Sequence, residues 1–117
     1  GTQTADLNMN GNDVDNIQRG IEDLSTSGTD VDFTEDQLQT ISISANTTFT
    51  GTGYAIGLSK TLYITTDSTL RTLTFPSGWV FQGAKPADQA ASKVGCLTLT
   101  STTAAEAGVR CAYAVQA

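Results

Sequence analysis

Asp6, Asn8 and Asn10, spaced two apart and followed by Gly11, come nearest in this chain to a metal-ligand set. They match the first half of a calcium-binding loop, in which oxygen ligands alternate along the chain before a glycine turn. Such a loop closes with a bidentate glutamate at its twelfth position, because Ca²⁺ takes about six to eight oxygens. The twelfth position here is Ile17. The segment therefore reads as a turn in an extended arm, and neither a metal nor any other cofactor is expected.

Nucleophilic chemistry is equally short of partners. The chain has no histidine to serve as a base beside its many Ser and Thr hydroxyls. Ser59-Lys60 and Ser92-Lys93 are the Ser–Lys neighbours, but successive strand residues point to opposite faces, which directs the members of each pair apart. Glu35-Asp36 falls in a polar linker. The remaining acids, Asp67, Asp88 and Glu106, show no spacing that sets two carboxyls about a glycosidic bond. No enzyme is expected. Tyr54, Tyr63, Trp79 and Tyr113 have rigid apolar faces with polar tips, suited to stacking on a sugar. Their alternation with other apolar residues assigns them instead to a core or a subunit interface. Gly51-Thr52-Gly53 is a turn, lacking the lysine and helix that follow a phosphate-binding loop.

Cys96 and Cys111 form no C-x-x-C spacing and have no histidine to complete a zinc site. A hairpin closing near Ala104 and Ala105 sets Cys111 opposite Thr98 and Cys96 opposite Tyr113. The two thiols are then diagonal neighbours on one face, beyond the roughly 4.5 Å between Cβ atoms that a disulfide allows. A one-step change in register or a bulge reverses that conclusion; for a protein made in a reducing cytosol, two buried free thiols are expected.

The elements that must position these groups are strands. At 117 residues the chain has the length of one domain, and it buries only roughly two-thirds of its unfolded surface. Threonine is frequent, and its β-branched side chain suits a pleated surface. Strands are expected over residues 38–44, 49–58, 62–66 and 70–75, with Trp79 and Phe81 on a strand returning from a Pro76-Ser77-Gly78 turn. A last hairpin joins 94–100 to 109–115. Around eight short strands of this kind predict an all-β protein, a single β-sandwich or jelly-roll-like body over residues 37–117. Its expected core is Ile41, Ile43, Ile56, Leu58, Leu73, Phe75, Trp79, Phe81, Leu97 and Leu99.

Residues 1–36 read differently. Nine of the twelve acids fall there, against a single base, Arg19, and the chain as a whole carries a net charge of −6. Leu7, Met9 and Val14 dot an extended acidic arm, and Ile17, Ile21 and Leu24 follow at helical spacing, predicting a short helical turn. A stripe so short cannot hold itself in water, so these six residues are expected to dock on the body, on a partner or on sister arms. An acidic arm repels nucleic acid, and the body has no run of Lys or Arg to contact phosphates. No apolar run approaches the roughly 20 residues of a membrane-spanning helix. With Gly1 first and no basic-then-apolar leader, the chain is expected to be close to a complete mature protein.

Two segments carry a resemblance. Leu7-Asn8-Met9-Asn10-Gly11-Asn12 with Ile17 is similar to an element that recurs in phage tail fibres. The run Leu73-Thr74-Phe75-Pro76-Ser77-Gly78-Trp79-Val80-Phe81-Gln82-Gly83, followed by Lys93-Val94-Gly95-Cys96-Leu97-Thr98-Leu99-Thr100 and the closing Ala112-Tyr113-Ala114-Val115-Gln116, resembles a β-domain of bacteriophage virion surface proteins. The resemblance implies a homotrimer on the outer surface of a virus particle and supplies no catalytic residue. The arm is shorter than the attachment domains and shafts of tail fibres. That favours a capsid decoration or cement protein, partnered with itself and with the major capsid protein. The alternative is a short tail-fibre tip that recognises a host receptor through loops at 51–53, 82–91 and 102–108. A third expectation is a non-viral carbohydrate-binding domain.

Overall fold

The computed structural model describes residues 29–117 in full and residues 21–23 by their backbone. The described residues form eleven strands: β1 (Ile21–Asp23), β2 (Asp30–Asp32), β3 (Leu38–Ile43), β4 (Thr47–Thr48), β5 (Thr50–Thr52), β6 (Ser59–Thr66), β7 (Arg71–Thr74), β8 (Val80–Phe81), β9 (Asp88–Gln89), β10 (Val94–Ser101) and β11 (Val109–Val115). The one helical element among the described residues is a 3-10 turn, Glu106–Gly108. The protein is all-β with sheets of mixed orientation.

β1, β3, β6, β10, β11 and β8 form a six-stranded sheet in that order. The β1–β3, β3–β6 and β11–β8 pairs are parallel, while β10 runs antiparallel to both β6 and β11. The pair β2–β5 and the trio β4–β7–β9 form smaller sheets. Alternation along the long strands creates the core. Ile41 and Ile43 of β3, Leu62 and Ile64 of β6, Leu97 and Leu99 of β10, and Val109 and Cys111 of β11 are all buried on one face. They form one cluster with Val31, Phe33, Phe49, Leu73, Phe75 and Trp79 from the smaller sheets and their connections. Phe75 is central to the aromatic part, with ring centroids 5.3 Å from Phe49, 6.1 Å from Trp79 and 5.4 Å from Phe81. Leu58 and Phe81 are half-buried against this cluster.

Four expectations are corrected. Ile56, assigned to the core, is 80% exposed. β5 ends at Thr52, and Gly57, at φ +87, sits in a turn closed by a bond from the Leu58 amide to the Ala55 carbonyl, so the alternation that would bury Ile56 is broken. Ile21, expected on a helical turn, instead opens β1, whose backbone pairs with Leu38–Thr40 of β3. The other arm residues named above, Leu7, Met9, Val14, Ile17 and Leu24, lie outside the described residues.

The turn at Pro76 forms, with the Trp79 amide donating to the Pro76 carbonyl at 3.1 Å, but its flanking strands do not pair with each other. β7 belongs to a small sheet and β8 to the large one, so the turn carries the chain from one sheet to the other. Gly78 lets Glu106 approach closely there: a Cβ would lie 2.6 Å from Glu106 Oε2, the atom that accepts the Gly78 amide at 2.7 Å, and would push that carboxylate aside. Lastly, the β10–β11 hairpin forms one register step away from the expected one, with Leu99 opposite Cys111 and Cys96 opposite Ala114. A single step moves a side chain to the other face. Cys111 therefore points into the core and Cys96 to the outside, and both thiols are free. Residues 29–36 contribute Val31 and Phe33 to the core, and so pack as part of the body.

Candidate functional site

The face of the six-stranded sheet turned away from the core is a broad surface built by four adjacent strands. Register places Leu38, Thr61, Thr98 and Ala112 in one row across β3, β6, β10 and β11, and Thr40, Tyr63, Cys96 and Ala114 in the next. Further rows hold Ser42, Thr65 and Val94 on one side, and Ser59, Thr100 and Arg110 on the other. Thr65, Thr98, Thr100, Ala112 and Ala114 are exposed, while Thr61 and Cys96 are half-buried. Across β3, β6, β10 and β11, Arg110 is the only charged residue of this face. It stands at a corner, where its guanidinium donates to the Ala107 carbonyl at 3.0 Å.

Beside Arg110 the face dips into a shallow cleft of about 400 Å³, lined by Gln82, Thr98, Thr100, Arg110, Cys111 and Ala112. Its polar groups are a guanidinium, two hydroxyls and an amide, a donor-rich set. Cys111 borders the cleft, but its side chain faces the core and its thiol donates to the Val80 carbonyl at 3.6 Å. Burial pushes this thiol up to about 11, an effect that the Lys85 charge reduces. The thiol is therefore protonated and inert near neutral pH.

The residues singled out for chemistry are held apart. Ser59 is exposed on the outer face, whereas Lys60 is buried and its Nζ donates to the Asp32 carbonyl. Ser92 has a left-handed φ of 57, and the neighbouring Lys93 donates from Nζ to the Ala117 carbonyl at 2.8 Å. Asp30 accepts the hydroxyls of Thr50 and Thr52 at 2.8 and 2.6 Å. Asp32 accepts both the amide and the hydroxyl of Thr34, which hold its carboxyl below the usual range. Asp67 is chelated by Arg71 through two bonds of 2.9 and 2.6 Å, and these lower its pKa. Glu106 is engaged with Gly78. Among the described residues no three His, Cys, Asp or Glu side chains gather as metal ligands. The Asp6–Ile17 segment lies outside those residues.

The aromatic residues do not share a platform. Trp79 is buried and donates from Nε1 to the Tyr54 hydroxyl at 3.3 Å, and Tyr54 packs on Phe33. Tyr113 lies over Gly95 on the inner side, its hydroxyl donating to Gln89 Oε1 at 2.7 Å. Tyr63 alone of the four stands on the outer face, 39% exposed. No helix among the described residues is long and apolar enough to cross a membrane.

The outer face was not singled out from sequence, although its signal is present. The outward positions of two long strands read Val94-Cys96-Thr98-Thr100 and Arg110-Ala112-Ala114, with one charge among seven residues. Comparison with protein-family models, curated proteins and solved structures returns no match.

Proposed function

We propose that this chain is a structural protein of a virus-particle surface. In this reading it is a small homotrimeric decoration or cement protein whose sandwich-like, jelly-roll-type body caps the head shell and whose acidic arm grips the major capsid protein. The observation that carries the reading is how the arm joins the body. β1 is stitched into the large sheet beside β3, and the following segment inserts Val31 and Phe33 into the core. Tension on residues preceding Ile21 is therefore borne by a sheet and not by a loose linker, as a clamp requires. The sequence resemblance to phage virion surface proteins supplies the setting. The arm's acids would meet basic surface on the shell, and several weak arms acting together would give the assembly its avidity.

Deleting residues 1–20 tests this directly, because it leaves β1 in place. Expected is a truncated protein with the buried-Trp79 emission of the full chain that no longer binds shells. Retained shell binding overturns the reading. In purified particles a decoration protein stands near stoichiometry with the capsid protein, whereas a fibre is present in a few copies.

The Arg110 cleft favours a second reading, a fibre tip that binds a host surface. Its donor-rich lining suits a carboxylated saccharide, and binding of acidic sugars lost in Arg110→Ala would establish it.

A further inference from the structure

We infer that the outer face of the six-stranded sheet is where copies of this chain meet, so that the assembly is held by sheet faces packed toward one another and not by strand edges. The inference rests on the self-assembly in the reading above and names the surface responsible.

Charge is the first argument. A chain of net charge −6 associates with itself only if its acids stay out of the contact. None of the acids from Asp30 onward lies on the part of this face built by β3, β6, β10 and β11, and Asp23 of β1 stands at its margin, in register with Thr40. Those from Asp30 onward sit in β2, in β9, in the loops before β3 and after β6, and in the 3-10 turn. In a symmetric assembly, residues near the axis face copies of themselves, so a central charge would be set against its own like. The centre here is Thr61, Tyr63, Cys96 and Thr98, and the sole cation is at a corner, turned to a carbonyl of its own loop. The centre offers a foreign partner no charge to complement.

Geometry is the second argument. Four strands about 4.8 Å apart, each contributing about seven residues at about 3.3 Å, make a patch of roughly 450 Å² in plan. Two such patches remove roughly 900 Å², and more once side-chain relief is counted, which reaches the scale of about 1,000 Å² at which specific association begins. The edges of the sheet offer less. β8 has two residues and β1 three, short edges of the kind that discourage pairing with another chain. Packing face to face sets sheets about 10 Å apart with their side chains interdigitated, and Leu38, Tyr63 and Val94 give this face apolar groups to insert between the Thr and Ala positions.

Cys96 is a native reporter at the centre of this face, and the buried Cys111 does not compete with it. The test pairs sedimentation with the rate of Cys96 alkylation across protein concentration. It uses the full chain, the variants Thr98→Asp and Thr61→Lys, and Thr48→Asp, an exposed change off the face, as control. The full chain and the control are expected to sediment above the 12.2 kDa monomer and to lose at least tenfold in alkylation rate on concentration. Both face variants should remain monomeric with a rate independent of concentration, and Trp79 emission confirms that each is folded. An assembled chain whose Cys96 stays reactive, or whose folded face variants still assemble, overturns the face while self-assembly stands. A full chain that is monomeric at about 100 µM removes both.

Discussion

Two glutamines fully inside this protein should respond with opposite sign to the same substitution. Gln39 on β3 is 0% exposed and Gln89 on β9 is 2% exposed. Gln89 is fully employed. Its Nε2 donates to the Ile64 carbonyl at 2.9 Å and to the Lys93 carbonyl at 3.1 Å, and its Oε1 accepts the Tyr113 hydroxyl. Gln39 is idle, since among the described residues neither its Oε1 nor its Nε2 has a hydrogen-bond partner. Methionine matches the unbranched length of glutamine without its polar atoms. At position 39 it removes a desolvated amide whose burial without partners costs about 1–3 kcal/mol, so Gln39→Met should stabilise by about that amount. At position 89 it deletes three bonds, each contributing about 0.5–1.5 kcal/mol, so Gln89→Met should destabilise by about 2–4 kcal/mol. For a body of this size, about 1 kcal/mol moves Tm by about 4–8 °C. The Gln39 variant should therefore melt higher than the parent by roughly 4–24 °C, and the Gln89 variant lower by a similar or larger amount. Trp79, the single tryptophan and buried, reports both transitions by fluorescence during heating or urea titration. A Gln39→Met protein less stable than the parent, or two shifts of the same sign, refutes this account of the buried amides.

Other expectations follow from single contacts. Glu106 ties the 3-10 turn to the Pro76 turn through the Gly78 amide; Glu106→Ala should cost about 1.5–3 kcal/mol in urea unfolding, the range for a charge-assisted bond, and Glu106→Gln less. Asp32 and Asp67 titrate below the ordinary aspartate value of 3.8. Their contribution is therefore complete above that value and is lost as pH falls through the lowered native ones. Stability measured from pH 6 down to pH 2 should drop below about pH 4, and Asp67→Asn should flatten that drop. With Cys111 pushed up to about 11, a maleimide at pH 8 should label one thiol, Cys96, in the native protein and two after denaturation. Two native labels would show the β11 thiol to be accessible.

Much of the body was legible because alternation has one physical cause. On β6, residues 60, 62, 64 and 66 are buried, while 59, 63 and 65 are exposed; β10 follows the same rule. Where one face of a strand is buried, the sequence must show period two. Legibility failed where the backbone leaves the sheet for a reason carried elsewhere. Ile56 alternates correctly with Tyr54 and Leu58, but the turn through Gly57 expels it. Nor did local pattern reveal that Pro76 ends one sheet and begins another, because the partners of β7 and β8 lie up to thirty residues away in the chain. Gln39 shows the converse. An alternating apolar strand contains an amide at a core position, and no local reading tells whether partners await it.

The hairpin register teaches the sharper lesson, because it decides the faces of the candidate surface. A turn centred between Ala104 and Ala105 pairs Leu99 with Arg110, setting a core side chain against a solvent one. Directly opposed residues share a face, so Leu97, Leu99 and Ser101 require Tyr113, Cys111 and Val109 as partners, and the centre must fall on Ala105. The observed pairs of Leu99 with Cys111 and Leu97 with Tyr113 satisfy this. Hydrophobic parity thus overrides turn symmetry. The same parity sends Cys96, Thr98, Ala112 and Ala114 outward together. The uncharged face therefore follows from the core: once Leu97 and Leu99 are inside, every other residue of both strands is committed to the opposite surface. Only Arg110 among those of 94–115 bears a charge in a strand position there. Contact between copies would require a face of this kind, free of acids across β3, β6, β10 and β11.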